Sequence, residues 1–222
     1  MSYMTEEEQL AAIKKWWFKH SNLLTIILSI ILLCVAGYKY WSWHIEKVNS
    51  QASTAYEQLM LAFSNKDEKS IQSYANQLIK NYSKTVYADA ARLTLAKLQV
   101  TEEGYDEAQE NLNVVATHSK LPALKQLARL RIARLLSAKK DYKQALEKLT
   151  VVEDKAYMPV VNELKGDIFV ATGQYQQAIL SYKEAITEVR TSGMGNLFLE
   201  MKTNELAALH QSSNTDAATQ NT

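Results

Sequence analysis

The chain has 222 residues, of which 25 are lysine or arginine and 24 are aspartate or glutamate, so its formal net charge is +1. From Val48 onward each sign contributes 20 charges, and this balance argues against a nucleic-acid binder with an overall basic surface. The only cysteine, Cys34, cannot form an intrachain disulfide, so an apolar core must hold the fold together.

Residues 23–38, LLTIILSIILLCVAGY, form the first predicted element, a charge-free apolar helix. At about 1.5 Å per residue it spans roughly 24 Å, which is less than the ~30 Å hydrocarbon core of a bilayer. Aromatic side chains at both ends extend it to the interfaces, namely Trp16, Trp17, Phe18, Tyr38, Tyr40, Trp41 and Trp43. We therefore predict a transmembrane anchor over 21–43, preceded by a tail over 1–20.

A cleaved signal peptide is the alternative for this segment, because its apolar region runs about 7–15 residues. No A-x-A-like cleavage site precedes a polar start, and Leu33 stands before Cys34 where lipoprotein processing expects Gly or Ala. These features favour an uncleaved anchor.

The lysines beside the anchor indicate its orientation. Lys14, Lys15 and Lys19 precede the span, whereas Lys39 and Lys47 follow it. This bias predicts a cytoplasmic N-terminus and a translocated C-terminal domain.

One face of the anchor carries small and hydroxyl-bearing residues, which are Asn22, Thr25, Ser29 and Ala36. Such residues allow two membrane helices to approach closely and to hydrogen-bond. We predict that this face packs against a partner's membrane helix. The alternative is that Thr25 and Ser29 bond only to preceding carbonyls of their own helix.

Three segments of the translocated domain superimpose, at 104–115, 140–152 and 173–186. Their shared positions, at offsets of 37 and 33 residues, are Tyr105, Tyr142 and Tyr175, then Ala108, Ala145 and Ala178, then Leu112, Leu149 and Tyr182. An amphipathic helix precedes each segment, and the paired helices resemble the tetratricopeptide repeat of about 34 residues. Gly173 is expected in the left-handed conformation of a turn, and the aligned tyrosines are expected in the core.

Helices also flank these three hairpins. We predict a pair at 48–63 and 67–82, the first continuing the membrane helix, and a closing helix at 196–209. The fold class is therefore all-α, with one transmembrane helix followed by an α-solenoid of about three degenerate hairpins. The repeat domain is placed at 44–209, and the polar tail at 210–222 is expected to be disordered.

The search for chemistry finds no catalytic pattern. The four histidines lie far apart without metal-ligand spacing, and no nucleophile elbow, Walker loop or dinucleotide fingerprint occurs. We therefore predict a non-enzymatic protein without a metal, cofactor or small-molecule substrate.

Stacked hairpins instead present a groove lined by their first helices, which suits peptides or partner segments. The repeat alignment places seven residues in this groove, and for any single one the alternative is an ordinary solvated helix face. They are Leu93, Lys97, Leu130, Arg134, Glu163, Asp167 and Val170. The groove is expected to be cationic near Lys97 and Arg134 and anionic near Glu163 and Asp167.

The order of these features resembles the YfgM family of bacterial inner-membrane proteins over about residues 6–209. The residues that carry the resemblance are the acidic leader Glu6–Glu8 with Gln9, the motif IKKWWFKH, one span with a GYKYW exit, Ala55-Tyr56, and degenerate repeats with a closing helix. The resemblance implies an ancillary subunit of the Sec (SecYEG) translocon with a periplasmic domain and no catalytic residues. The implied partners are translocon subunits, a membrane-anchored periplasmic foldase and newly exported clients.

Two other functions remain open from the sequence. The domain is either a periplasmic holdase-type chaperone that binds unfolded clients directly, or an envelope-assembly scaffold unrelated to export.

Overall fold

The computed structural model describes residues 6–191 and 197–219, and within these ranges the regular structure is nine α-helices and one 3-10 turn, without a β-strand. The helices are α1 (Glu6–Ser64), α2 (Glu68–Asn81), α3 (Val86–Thr101), α4 (Tyr105–His118), α5 (Pro122–Ala138), α6 (Tyr142–Lys148), α7 (Met158–Ala171), α8 (Tyr175–Thr191) and α9 (Leu197–Thr219), and the 3-10 turn is Lys155–Tyr157. The all-α prediction is confirmed. The chain divides into two units, residues 1–51 and 52–222.

The first unit consists of α1 up to Gln51. Within the described residues, α1 is the one helix long and apolar enough to cross a membrane. Its large apolar side chains between Leu23 and Val35 are exposed, and lipid is the environment that would cover such a surface. The helix continues without a break to Ser64, as predicted from the absence of a helix breaker.

In the second unit, local side chains determine where several helices begin. The Asp67 carboxylate accepts a hydrogen bond from the Ser70 amide at 3.1 Å, and the Asp141 carboxylate accepts one from the Gln144 amide at 3.2 Å. These are N-cap contacts, which satisfy amides that have no partner within the helix. Proline instead occupies the first turn of α5 and α7, where its missing amide costs nothing.

From α2 to α9 each helix packs against the next, and the first helices of successive hairpins also lie side by side, α3 against α5 and α5 against α7. This is the two-layer arrangement of a helical-repeat solenoid. The predicted hairpins α3–α4, α5–α6 and α7–α8 are therefore confirmed.

The turns of the hairpins repeat the same backbone geometry. One residue in each turn has a positive φ: Lys66 (56°), Glu103 (63°), Lys140 (62°) and Gly173 (74°). The amide of the following residue then donates to the carbonyl five residues earlier, as from Gly104 to Gln99 at 2.8 Å and from Gln174 to Phe169 at 2.8 Å. The prediction for Gly173 is confirmed. Because the turn between α1 and α2 has this geometry too, the end of α1 with α2 forms a fourth hairpin of the same kind.

The core of this unit consists of three apolar clusters along the stack. The largest joins α3 to α7, a second joins the end of α1 to α2 and α3, and a third joins α7, α8 and α9. In the third cluster Tyr182 is fully buried. A Cβ added at Gly166 would lie 2.5 Å from Cδ1 and 2.9 Å from Cζ of the Tyr182 ring. Glycine is therefore required where α7 crosses α8.

The prediction that nearly all of the tyrosines at 105, 142, 175 and 182 are core residues is wrong for two of them. Tyr182 is buried and Tyr142 packs against the largest cluster, but Tyr105 and Tyr175 are exposed. Tyr105, Tyr142 and Tyr175 are each the first residue of their helix, so this position by itself does not decide which ring is covered.

The chain differs from the sequence expectation in two further places. Helix α6 ends at Lys148, four residues before the end of its predicted segment. The following loop is held to α5, because the buried Gln126 accepts a hydrogen bond from the Glu153 amide at 2.9 Å and Arg129 forms a 2.7 Å ion pair with the Glu153 carboxylate.

Helix α9 continues to Thr219, whereas disorder was predicted from residue 210. Elongating an existing helix avoids the cost of a new nucleus, which accounts for a helix in so polar a segment. Residues 220–222 of the predicted tail lie outside the described residues, as does residue 196 at the predicted start of the closing helix.

Candidate partner-binding surface

The first helices of the hairpins share a face of exposed and half-buried side chains at helical spacing, which we call the open face. On α3 it comprises Ala90, Thr94 and Lys97, on α5 Leu127, Arg131, Arg134 and Ala138, and on α7 Val160, Glu163, Asp167 and Ala171. The side chains of Lys97 and Arg134 are exposed on this face. Glu163 and Asp167 are half-buried on it, and Val170 is half-buried beside it.

Two predicted groove residues do not line this face. Leu93 is 5% exposed and Leu130 is 1% exposed, and both belong to the largest core cluster. The physical reason is the packing of α5 between α3 and α7, which turns the side chain at 130 into a helix–helix contact. One residue later, a rotation of about 100° brings Arg131 to the open side instead.

The charge of Asp167, at the acidic end of the face, is neutralised within the protein. The Tyr182 hydroxyl donates a 2.7 Å hydrogen bond to the Asp167 carboxylate, and Lys202 of α9 forms an ion pair with the same carboxylate. Burial raises the pKa of Tyr182, and the carboxylates of Asp167 and Glu163 raise it further. The phenol therefore stays protonated and serves as a donor.

At the basic end, Arg131 of α5 donates from Nη1 to the Leu93 carbonyl of α3 at 2.8 Å. Lys97, one turn after Leu93, lies with its Nζ 4.9 Å from the centre of the Phe63 ring. Burial lowers the pKa of Arg131, and the like charge of Arg134 lowers it further. The sequence alignment missed Arg131 because it assigned the groove position to Leu130.

The predicted packing face of the anchor is present as an exposed surface of α1. Its hydroxyls are bonded within the helix: Thr25 donates to the Ser21 carbonyl at 2.8 Å and Ser29 to the Thr25 carbonyl at 2.8 Å. Contact of Asn22, Thr25, Ser29 and Ala36 with a partner helix stays a prediction.

Among the described residues, no group of three or more His, Cys, Asp or Glu side chains is placed to hold a metal ion. The open face carries charged and apolar side chains, which suit binding of a polypeptide.

Comparison with known proteins extends over nearly the whole chain. The family model described as a tetratricopeptide repeat-like domain matches residues 14–208. The ancillary SecYEG translocon subunit of Aggregatibacter actinomycetemcomitans is 32% identical over 186 residues, which is 83% of this chain and 91% of that protein. The protein of the same name from Neisseria gonorrhoeae is 25% identical over 206 residues, 92% of this chain and 99% of the relative.

A third relative of that name, from Haemophilus influenzae, is 33% identical over 123 residues, covering 54% of this chain and 59% of its own. Among solved structures, kinesin light chain TPR-like repeats from Podosopora anserina align at 16% identity with a TM-score of 0.46, over 81% of this chain and 99% of that one.

Proposed function

Because the chain belongs to the tetratricopeptide repeat-like family of ancillary SecYEG translocon subunits, we propose that it is a non-catalytic adaptor of the Sec translocon. In this role α1 anchors the protein in the inner membrane, and the repeats bind other proteins beside the export channel. The proposed partners are translocon subunits, a membrane-anchored periplasmic foldase and newly exported chains.

The observation that carries the proposal is the extent of the family match. It begins at residue 14, before the apolar stretch of α1, and ends at residue 208 within α9. The anchor and the repeats thus occur together in the family as one unit. A role at a membrane complex accounts for both parts, whereas a soluble chaperone or enzyme needs no anchor.

The orientation belongs to the proposal as well. Three lysines before the span against two after it support an N-terminus in the cytoplasm, and the repeats would then lie in the periplasm. Anchoring raises the local concentration of the repeat surface beside the channel, and weak contacts then suffice for binding.

Site-specific crosslinking tests the proposed role. A photoreactive residue at Arg134, on the open face, is expected to crosslink to a translocon subunit, the foldase or an exported chain. The same residue at Leu130 is the matched control, because that side chain is 1% exposed and should react only within the protein. Recovery at Arg134 of envelope-assembly components alone would contradict a role in export and support the scaffold alternative.

Topology is tested separately in spheroplasts. Protease added from outside should digest the chain beyond residue 51 and spare residues before 21. Protection of the repeats, or a mature chain that begins after Val35, would refute the anchored periplasmic arrangement.

One observation favours a second function, direct binding of unfolded chains. Leu197, Phe198 and Met201 at the start of α9 are exposed apolar side chains outside the span. If they bind clients, the purified protein should suppress aggregation of a denatured protein at near-stoichiometric ratio. A variant with serine at all three positions should then lose this effect, and no suppression by the unaltered protein would exclude the holdase.

A further inference from the structure

Three cations lie on the open face of α3 and α5, and we name Lys97, Arg131 and Arg134 the basic face. Arg131 joins the two helices, because its guanidinium donates to the Leu93 carbonyl of α3 at 2.8 Å. In an α-helix this carbonyl also accepts from the amide of residue 97, so Arg131 lies beside the turn that carries Lys97. Arg134 follows Arg131 by three residues, the spacing at which helical side chains are neighbours.

No carboxylate compensates these charges within residues 6–191 and 197–219. The ion pairs there involve Lys125 and Arg129 with Glu153, Lys139 with Asp106, Arg190 with Glu200, and Lys202 with Asp167. None of these ion pairs includes Lys97, Arg131 or Arg134. A half-buried arginine beside a second arginine is unfavourable in the free protein, as the lowered pKa of Arg131 reflects, and an anionic group bound between them would relieve the repulsion.

The acidic end of the open face does not supply that group. Asp167 is already bonded to Tyr182 and Lys202, and it lies on α7, one helix beyond the arginines. On the open face of α3 and α5, which carries no carboxylate, the charge left for a partner is therefore positive.

We propose that the basic face binds an acidic segment of a partner protein, held in an extended conformation across α3 and α5. The inference rests on the proposed adaptor function and names the chemistry of its partner. Side-chain carboxylates of the segment would contact Lys97 at one end and Arg131 and Arg134 at the other.

The dimensions of the surface fit such a segment. Axes of packed helices lie about 8–10 Å apart, and alternate residues of an extended strand are separated by roughly 6.6 Å. Two acidic residues spaced two or three positions apart thus reach from α3 to α5. Ala90, Thr94 and Ala138 are small where the main chain of the segment would cross.

A polypeptide fits better than a nucleic acid. The domain from Val48 onward has no net charge, whereas a nucleic-acid surface needs a continuous basic stripe. Here the three cations are confined to α3 and α5, and the next first helix, α7, carries Glu163 on this face, so a phosphate backbone would find only two or three contacts.

Fluorescence anisotropy with the full-length protein in a nonionic detergent tests the proposal. The probe is a labelled twelve-residue peptide of alternating Glu and Ser, compared with alternating Lys and Ser and with a twelve-nucleotide single strand. The expected result is saturable binding of the Glu peptide, weakened by added salt, without binding of the Lys peptide. A nucleotide strand that binds more tightly than the Glu peptide would overturn the choice of a protein partner.

The decisive variant combines Arg131→Gln with Arg134→Gln. Its matched control, Lys143→Gln with Lys183→Gln, removes the same charge from exposed positions on α6 and α8. We expect the arginine variant to weaken binding by about tenfold or more and the control by under about twofold. Replacing Arg131 also removes its hydrogen bond to the Leu93 carbonyl, which could disturb the fold. Arg134→Glu alone, at an exposed position, avoids this and should weaken binding by the same factor.

Equal losses in the arginine variant and the control, or no loss in Arg134→Glu, would overturn the proposal. Co-purification with translocon subunits from the same membranes tests the adaptor function separately from the binding of an acidic segment. An unaltered protein that co-purifies but does not bind the Glu peptide refutes the acidic segment alone. One that binds the peptide but never contacts the export machinery refutes the adaptor function.

Discussion

Replacing Gly166 by alanine should destabilise the repeat domain through a single steric contact. The added Cβ would lie 2.5 Å from Cδ1 of Tyr182, and this ring is fully buried and bonded to Asp167 at 2.7 Å. The ring cannot move aside without breaking that hydrogen bond. Alanine gains about 1 kcal/mol of helix propensity over glycine. Overpacking costs about 1–3 kcal/mol, and loss of a hydrogen bond to a carboxylate costs about 1.5–3 kcal/mol.

The net loss of unfolding free energy is then about 1.5–5 kcal/mol. Urea denaturation of the full-length protein in detergent, followed by tyrosine fluorescence and by circular dichroism, measures it. With a slope of roughly 2 kcal/mol per M, the midpoint should fall by about 0.8–2.5 M at unchanged slope. Gly37→Ala is the matched control, because that glycine is helical and its added Cβ would meet no atom within 4 Å beyond its chain neighbours and its own helix backbone.

The repeat alignment supplies a rescue experiment. The positions equivalent to Gly166 and Tyr182 hold Ala133 with Leu149 in the preceding hairpin, and both side chains are buried in its core. Tyr182→Leu added to Gly166→Ala recreates this pair. The double variant should therefore be more stable than the sum of the single effects by about 1 kcal/mol or more. Additive effects, or a Gly166→Ala protein as stable as the unaltered one, would refute the steric argument.

Four other changes test separate parts of the structure. Leu130→Ala should lower the unfolding free energy by about 2–4 kcal/mol, because the side chain is buried in the core. An unchanged stability would instead support the predicted position of Leu130 in the groove. Lys140→Gly should stabilise by about 0.5–1 kcal/mol, since Lys140 has φ 62°, and a lower thermal midpoint would contradict this. Asp141→Ala should cost about 1 kcal/mol through loss of the α6 cap, with Asp141→Asn as the milder control. The hydrogen bond from Arg129 lowers the pKa of Glu153 in the folded protein. The stabilisation that ionised Glu153 provides is therefore complete above its unfolded pKa near 4.5 and is lost as the pH falls through the lower folded pKa. The thermal midpoint of Glu153→Gln, measured against pH, should lack this acid-dependent step.

Much of the fold was predictable because it depends on local sequence. Helical periodicity located the elements to within a few residues, and the αL turn at Gly173 followed from glycine's freedom at positive φ. The same turn at Lys140 and Glu103 was not predicted as such, because no side chain there favours it. Those residues adopt the conformation since the packed helices on either side require it.

The candidate surface was only partly predictable. Exposed Lys97 and Arg134 were placed on it from the alignment, but Leu130 was assigned in place of Arg131. Neighbouring residues on a helix differ by about 100° in direction, so an error of one position exchanges a core residue for a surface residue. The bond from Lys202 to Asp167 likewise joins residues 35 positions apart, beyond the reach of any local pattern.

The sequence by itself determined the apolar helix, the paired helices that follow, and the absence of any recognisable catalytic motif, because each of these depends on residues close together in the chain. Only the tertiary structure decided which side of each helix stays open and which charges remain without a counterion. Both depend on contacts between helices distant in sequence, which pair Asp167 with Tyr182 and Lys202 and, among the described residues, leave Arg131 and Arg134 without a carboxylate partner.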